Sequence, residues 1–224
     1  MKHTLFFKIY IVISIVYLAI LLSGNEYLDL YLKPILIPLL GFAVYAYKRF
    51  PSRNTLLTAL AFSWIGDVIL LFADIAEIYF ILGLVSFLIS HIIFCTLFNK
   101  QNHTQVRNNI VFRIGCVIIV VYLIGMLSFL LPNLGDLRIP VIINGFVICT
   151  MLIMAFNGFL TWPKPGNKFI FAGAFIFIVS DSILAINKFH SPIEKGVFFT
   201  MLTYLVAQYL IVAGILKLNP KKQE

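Results

Sequence analysis

Charged residues are scarce in this chain. They make up 12% of its 224 residues, and hydrophobic residues make up 61%. A soluble domain carries about 25% charged residues. A water-soluble core cannot hold this much apolar surface, so the composition excludes a soluble domain and predicts a polytopic membrane protein.

Cysteine is scarce as well. Cys95, Cys116 and Cys149 all fall within apolar stretches, and no two of them have paired spacing. This pattern excludes a disulfide framework and a zinc motif. We expect the three thiols to be packing groups.

Long polar segments are missing too. A helix needs about 20 apolar residues to cross a bilayer, and the separators between the apolar runs are too short to form a soluble domain. Eight segments qualify as spans: 5–23, 32–48, 54–72, 77–98, 110–131, 139–160, 168–187 and 196–217. The first segment follows the positively charged Lys2, as the apolar region of a signal peptide would. It is longer than such a region, and no A-x-A-like cleavage site follows it, so we expect it to be retained as a span. The predicted fold is all-α, a polytopic membrane bundle of eight transmembrane helices in one domain over residues 1–224.

The basic residues predict the orientation. The net charge is +8, but the charges lie in short loops between apolar runs, so nucleic acid is not an expected partner. Thirteen lysines and arginines fall on one side of the predicted spans and four on the other. By the positive-inside rule both termini are expected in the cytoplasm, with the protein in a bacterial inner membrane.

Two carboxylates lie inside predicted spans. Asp67 is in span three and Asp181 in span seven, each 13 residues after a polar residue at the start of its span, and each is followed by an Ile-Leu pair. This weak repeat predicts two four-helix repeats in parallel orientation. A carboxylate at the bilayer centre costs about 3 kcal/mol, so it usually has a function. Hydrogen bonding to other helices is the structural alternative.

Other polar residues are expected near the two aspartates. At 1.5 Å per residue both carboxylates lie about 20 Å from the cytoplasmic boundary. Tyr204 is predicted at the same level, Gln208 one turn deeper, His91 deeper still, and Lys33 above. These positions predict a polar pocket that opens toward the outer leaflet. Each of the four residues also fits a packing role, as interhelical hydrogen bonding or, for Lys33, snorkelling.

Several further features predict packing and no chemistry. The small residues Gly83, Ser86 and Ser90 fall along one flank of span four, which indicates close helix packing. Asn144 and Asn157 are expected to be structural. All nine prolines are expected in loops or near span ends, which argues against a secondary transporter with broken helices.

The order of these motifs resembles that of a known family. Over residues 30 to 216 the chain is similar to the lysoplasmalogenase family of YhhN-like membrane proteins. The matching elements are Lys33-Pro34, Ser63-x-x-Gly66-Asp67-x-x-Leu70-Leu71, Gly83-x-x-x-Phe87-x-x-x-His91, Ser180-Asp181-Ser182-x-Leu184 and Tyr204-x-x-x-Gln208. The resemblance implies hydrolysis of the vinyl ether bond of a lysophospholipid, the lysoplasmalogen, to a fatty aldehyde and glycerophosphoethanolamine or glycerophosphocholine. It implies no metal and no organic cofactor.

A vinyl ether hydrolyses by protonation at its β carbon, followed by addition of water. Two carboxyl groups in unlike environments can be held in different protonation states. Our hypothesis is that one of Asp67 and Asp181 donates the proton and the other activates water. Hydrogen bonds from Ser180, Ser182 or Tyr204 to Asp181 would favour Asp67 as the acid, and the assignment stays open.

The polar residues expected around the aspartates are candidates for substrate binding: Lys33, His91, Tyr204, Gln208, Ser180 and Ser182. Lys33 is expected to meet the lipid phosphate as a point charge. His91 and Gln208 are expected to orient water or the head group.

Three other functions fit a pair of membrane carboxylates. They are a proton- or ion-coupled transporter, an aspartyl intramembrane protease and a non-catalytic lysolipid-binding protein. The protease is disfavoured because Trp64 stands where its motif requires glycine and Ser180 stands where it requires tyrosine.

Overall fold

Helices follow from the apolar runs, because a backbone in lipid has no water to bind and a helix satisfies its own polar groups. The computed structural model describes residues 2–24, 28–101 and 110–220. Over these ranges the α-helices are α1 (Lys2–Leu22), α2 (Asp29–Tyr45), α3 (Arg53–Leu70), α4 (Glu77–Lys100), α5 (Ile110–Leu130), α6 (Arg138–Thr161), α7 (Gly166–Phe189) and α8 (Gly196–Leu218). Two short 3-10 turns, Leu131–Asn133 and Gly135–Leu137, join α5 to α6.

The all-helical fold confirms the prediction from the sequence. Each helix overlaps its predicted span, and the ends agree to within three residues. In the described ranges, α1 and α4 to α8 contain the 6 segments that are long and apolar enough to cross a bilayer. The chain is therefore an integral membrane protein. α2 has only 17 residues and α3 is more polar, so eight crossings stay a prediction.

The chain divides into two compact units, with the boundary between Phe94 and Cys95. Unit 1 holds α1, α2, α3 and most of α4. Unit 2 holds the end of α4 and α5 to α8. The single domain over residues 1–224 and the two four-helix repeats stay predictions. The basic residues Arg107, Lys221 and Lys222, which contribute to the predicted orientation, lie outside the described residues.

Unit 1 is built from antiparallel neighbours. The rings of His3 on α1 and Tyr47 beyond α2 lie 5.1 Å apart in an edge-on contact. Phe6 stacks on Phe42 at 5.8 Å. The start of α1 therefore packs beside the end of α2.

The packing of α7 against α8 in unit 2 depends on small residues. A Cβ atom on Gly173 would lie 2.9 Å from the backbone carbonyl oxygen of Ala207, and one on Gly214 would lie 2.9 Å from the backbone nitrogen of Ile170. Only glycine permits such an approach of two helix backbones. α8 is accordingly the most deeply buried of the apolar helices in the described ranges.

One expectation about proline is wrong. Pro38 lies near the middle of α2, and Pro34 lies in its second turn. Proline has no N–H, so Pro38 cannot bond to the carbonyl oxygen of Pro34 one turn earlier. The indole Nε1–H of Trp64 on α3 donates to that oxygen at 2.8 Å. A hydrogen bond from the neighbouring helix thus satisfies the carbonyl, which is how a membrane helix tolerates an internal proline.

Candidate functional site

Small and polar residues fix the pairing of α3 with α4 around Asp67. Ser63 Oγ lies 2.8 Å from Ser90 Oγ, and Ser90 donates to the carbonyl oxygen of Ala59 at 2.8 Å. One turn further along α3, Gly66 leaves room for the ring of Phe87, because a Cβ atom there would lie 2.8 Å from the ring carbons. Residues of the two sequence motifs in α3 and α4 therefore pair with each other.

The same seam confirms the close packing predicted for the flank of α4. Ser86 donates to the carbonyl oxygen of Phe62 at 2.7 Å. A Cβ atom on Gly83 would lie 2.6 Å from the side chain of Leu70. The predicted small residues thus bring the two helices together and fix their register.

Asp67 is buried inside unit 1, with a relative exposure of 3%. It is close enough to interact electrostatically with the phenol groups of Tyr10 and Tyr17 on α1. The Tyr17 hydroxyl also donates a hydrogen bond to Asp29 at the start of α2. The surroundings of Asp67 therefore include α1 as well as the seam with α4.

Lys33 lies within about one turn of the level of Asp67 in unit 1. Lys33 precedes Pro34, whose carbonyl oxygen accepts the Trp64 hydrogen bond, and Asp67 follows Trp64 by three residues, or about 4.5 Å of helix. Lys33 is buried, and among the described residues its ammonium group forms no hydrogen bond or ion pair. An anionic ligand group can therefore be its partner.

His91 is fully buried on α4. Its neighbour Ser90 pairs with Ser63 and Ala59, which precede Asp67 on α3. His91 therefore lies at least one turn, about 5 Å, nearer the start of α3 than Asp67 does. This agrees with the predicted order of depths.

Asp181 lines a small cavity of about 60 Å³ within unit 2. The cavity is bounded by α5, α6 and α7, and its polar lining comes from Tyr122, Asn144 and Ser182. Asn144 Nδ2 donates to Asp181 Oδ2 at 3.4 Å. One water occupies about 30 Å³ in the liquid, so the cavity can hold water beside the carboxylate but not a lipid chain.

The hydroxyl groups expected to donate to Asp181 bond elsewhere. Ser180 donates to the carbonyl oxygen of Thr200 on α8 at 2.9 Å. Ser182 donates to the carbonyl oxygen of Ile178 at 2.6 Å and is hydrogen-bonded to the Tyr122 hydroxyl. A hydroxyl has a single hydrogen, so a serine that satisfies a helix carbonyl has none left for the carboxylate. The side-chain donor to Asp181 that the structure shows is Asn144.

Tyr204 and Gln208 occupy the packed interface of α7 with α8. The Tyr204 ring meets the Phe177 ring edge-on at 5.5 Å, and Gln208 Nε2 donates to the Tyr204 hydroxyl at 3.4 Å. Phe177 lies one turn before Asp181, and neither Tyr204 nor Gln208 lines the Asp181 cavity. Tyr204 is therefore about one turn from the level that we expected, because it packs on Phe177 and not beside Asp181.

Among the described residues, no group of three or more His, Cys, Asp or Glu side chains is placed to hold a metal ion. The polar groups that the structure brings together are suited to proton transfer and hydrogen bonding.

The comparisons with known proteins agree with the motifs. The model of the YhhN family matches residues 28–215. The chain belongs to the YhhN family. Relatives include the lysoplasmalogenase TMEM86A of Bos taurus, 29% identical over 174 residues, and that of Homo sapiens, 29% identical over 173 residues. Each alignment covers 72% of this chain and 65% of the relative, so this YhhN chain matches less than two thirds of their length. No solved structure matches.

The structure adds four residues to those chosen from the sequence of this YhhN protein. Asn144, for which the sequence predicts a structural role, and Tyr122 both line the Asp181 cavity. Tyr10 and Tyr17 lie in α1, before the family match begins at residue 28. Polar residues inside apolar spans are the signal that could have identified all four.

Proposed function

We propose that this protein is a membrane hydrolase that cleaves the vinyl ether bond of lysoplasmalogens. The products are a fatty aldehyde and glycerophosphoethanolamine or glycerophosphocholine. The observation that carries the proposal is membership of the YhhN family, together with relatives named lysoplasmalogenase. No metal or organic cofactor takes part in the proposed reaction.

The proposed reaction needs one proton donor and one base. Protonation of the β carbon gives an oxocarbenium ion, water adds to the adjacent carbon, and the hemiacetal breaks down to aldehyde and alcohol. Asp67 and Asp181 each supply a carboxyl group for one of these steps, and either can be the donor. The water-sized polar cavity beside Asp181 supports a role for this residue in activating water.

The substrate-binding roles are part of the same proposal. Lys33 binds the lipid phosphate. This role is supported by the burial of Lys33, which has no ionic partner among the described residues. His91 and Gln208 orient water or the head group. Ser180, Ser182 and Tyr204 hold the helix segments around Asp181 through the bonds described above.

The proposed topology has eight crossings with both termini in the cytoplasm of a bacterial inner membrane. Two observations support it: the asymmetry of the loop charges and the antiparallel packing of consecutive helices within each unit.

The decisive experiment is incubation of the purified protein with a lysoplasmalogen in detergent micelles. We expect release of one fatty aldehyde for each glycerophosphoethanolamine or glycerophosphocholine, measured by mass spectrometry of the extracted products. A protein that releases no aldehyde from any vinyl ether lipid would refute the proposal.

A proton- or ion-coupled transporter is the second candidate, and one observation favours it. Pro38 interrupts the hydrogen bonding of α2 close to the buried Lys33 and Asp67, and interrupted helices form the sites of many transporters. Flux across liposomes without aldehyde release would favour this function.

Asn144 provides a test of the Asp181 cavity. Asn144→Leu removes the amide that donates to the carboxylate, and we expect kcat to fall about tenfold, which corresponds to about 1.4 kcal/mol and lies within the net range of an ordinary hydrogen bond. The measurement is aldehyde release at saturating substrate. The control is Asn157→Leu on the same helix, because the Asn157 Oδ1 atom is buried without a hydrogen-bond partner among the described residues. Equal kcat values in the two variants would exclude a positioning role for Asn144.

A further inference from the structure

A second and larger cavity lies within unit 1, as a groove between α2 and α3 with a volume of about 470 Å³. This volume is in the range of small-molecule sites, about 300–1,000 Å³. The groove is lined by apolar and aromatic side chains and by glycine, and it contains no charged residue. Such a lining suits a hydrocarbon chain.

The groove has a direction, because α2 and α3 run antiparallel. Ile37 on α2 and Trp64 on α3 line one end, and Tyr45 and Leu57 line the other. Lys33 lies one turn before Ile37 along α2, and Asp67 lies one turn after Trp64 along α3. Both charged residues are therefore just beyond the same end of the groove.

The arrangement matches a single-chain amphiphile. One apolar groove leads to one buried cation and one buried carboxyl group, so a lipid tail in the groove would bring its polar end to Lys33 and Asp67. The Trp64 indole closes this end and is held in place by its hydrogen bond to Pro34. The cavity beside Asp181, at about 60 Å³, is far too small for the tail.

We infer that the groove between α2 and α3 binds the hydrocarbon chain of a lysolipid, with the phosphate directed to Lys33. The inference rests on the proposed function for the identity of the substrate. It adds that the absence of a side chain at Gly41 leaves the groove open to long hydrocarbon chains. Gly41 lines the middle of the groove, and a Cβ atom there would meet nothing within 4 Å. A larger side chain at this position would therefore occupy the groove without disturbing the helices.

The test is Gly41→Phe, with vinyl ether lysolipids of long and short alkenyl chains as substrates. We expect KM for the long chain to rise at least tenfold, with a smaller change for a chain short enough to end before residue 41.

The matched control is Gly125→Phe on α5. Gly125 is exposed and also has open space around it, but it does not line either of the two cavities described. Both variants should keep the thermal unfolding midpoint of the wild type. If the two variants show the same KM at every chain length, the inference is wrong.

A second measurement separates this inference from the proposed function. A lysophosphatidylcholine with a diazirine in the middle of its ester-linked chain has no vinyl ether to cleave. We expect it to label peptides of α2 and α3 in the wild type and in Gly125→Phe, and to lose this labelling in Gly41→Phe. Labelling of the groove without aldehyde release would support binding of the lipid chain in the groove and refute the proposed hydrolase activity. Aldehyde release with labelling distributed over other helices would support the hydrolase activity and refute binding of the chain in the groove.

Discussion

Asp67→Asn is expected to lower kcat for lysoplasmalogen hydrolysis by about 10²–10⁴-fold, the usual contribution of a general acid or base. Asparagine has nearly the same shape as aspartate, so the packing around the buried side chain is preserved, but the amide cannot transfer the proton. Asp181→Asn should cause a loss of the same order, because the reaction requires a donor and a base. The measurement is aldehyde release at saturating substrate, with the thermal unfolding midpoint as the check on folding.

Each unit supplies a matched control for these variants. Asp74 and Asp136 are exposed carboxylates in the connections after α3 and after α5, and conversion of either to asparagine should leave kcat unchanged. Near wild-type turnover in a folded Asp67→Asn or Asp181→Asn protein would rule out the two-carboxylate mechanism. Loss in one aspartate variant alone would indicate a mechanism with one essential carboxyl group.

Trp64→Phe is expected to destabilise the protein by about 0.5–1.5 kcal/mol, the net contribution of a hydrogen bond. Phenylalanine keeps an aromatic ring against α2 but removes the N–H that donates to the Pro34 carbonyl oxygen. Pro38 cannot replace the donor because it has no N–H. For a chain of this length, each kcal/mol lowers the unfolding midpoint by about 2–4 °C, which a thermal melt in detergent can measure.

Trp162 provides the control for this substitution. It is 6% exposed, its ring meets the Phe98 ring edge-on, and its Nε1 atom has no hydrogen-bond partner among the described residues. Trp162→Phe therefore removes similar volume, at a more buried site, without breaking a hydrogen bond, and the fall in its midpoint measures the cost of lost volume alone. An unchanged midpoint in Trp64→Phe would mean that the bond to Pro34 does not contribute to the stability of α2.

Hydropathy predicted the helices of this fold well, because a helix in lipid needs only an apolar run of sufficient length and a polar or turn-forming end. It predicted the middle of α2 less well. Pro38 lies inside that helix because a tryptophan on α3 supplies the missing hydrogen bond. A donor from another helix cannot be identified from the local sequence.

The residue types of the candidate site stay a prediction, and the contacts that these residues make do not follow from the sequence. Asp67, Asp181 and His91 are conspicuous as polar residues in apolar sequence. Their partners depend on how each helix is rotated about its axis and on where its neighbour begins. The local sequence thus gives no sign that Asn144 donates to Asp181, or that Ser180, one of the expected donors, bonds to a carbonyl of α8.

The contribution of α1 to the surroundings of Asp67 affects how this chain is compared with its relatives. The family match begins at residue 28, whereas Tyr10 and Tyr17 precede it. An alignment restricted to the shared region therefore contains the carboxylate but omits two tyrosines that interact with it electrostatically. Two family members with identical motifs can differ in the polarity around this residue if their first helices differ. Exchange of that helix between relatives is thus a route to altered activity that leaves every motif residue in place.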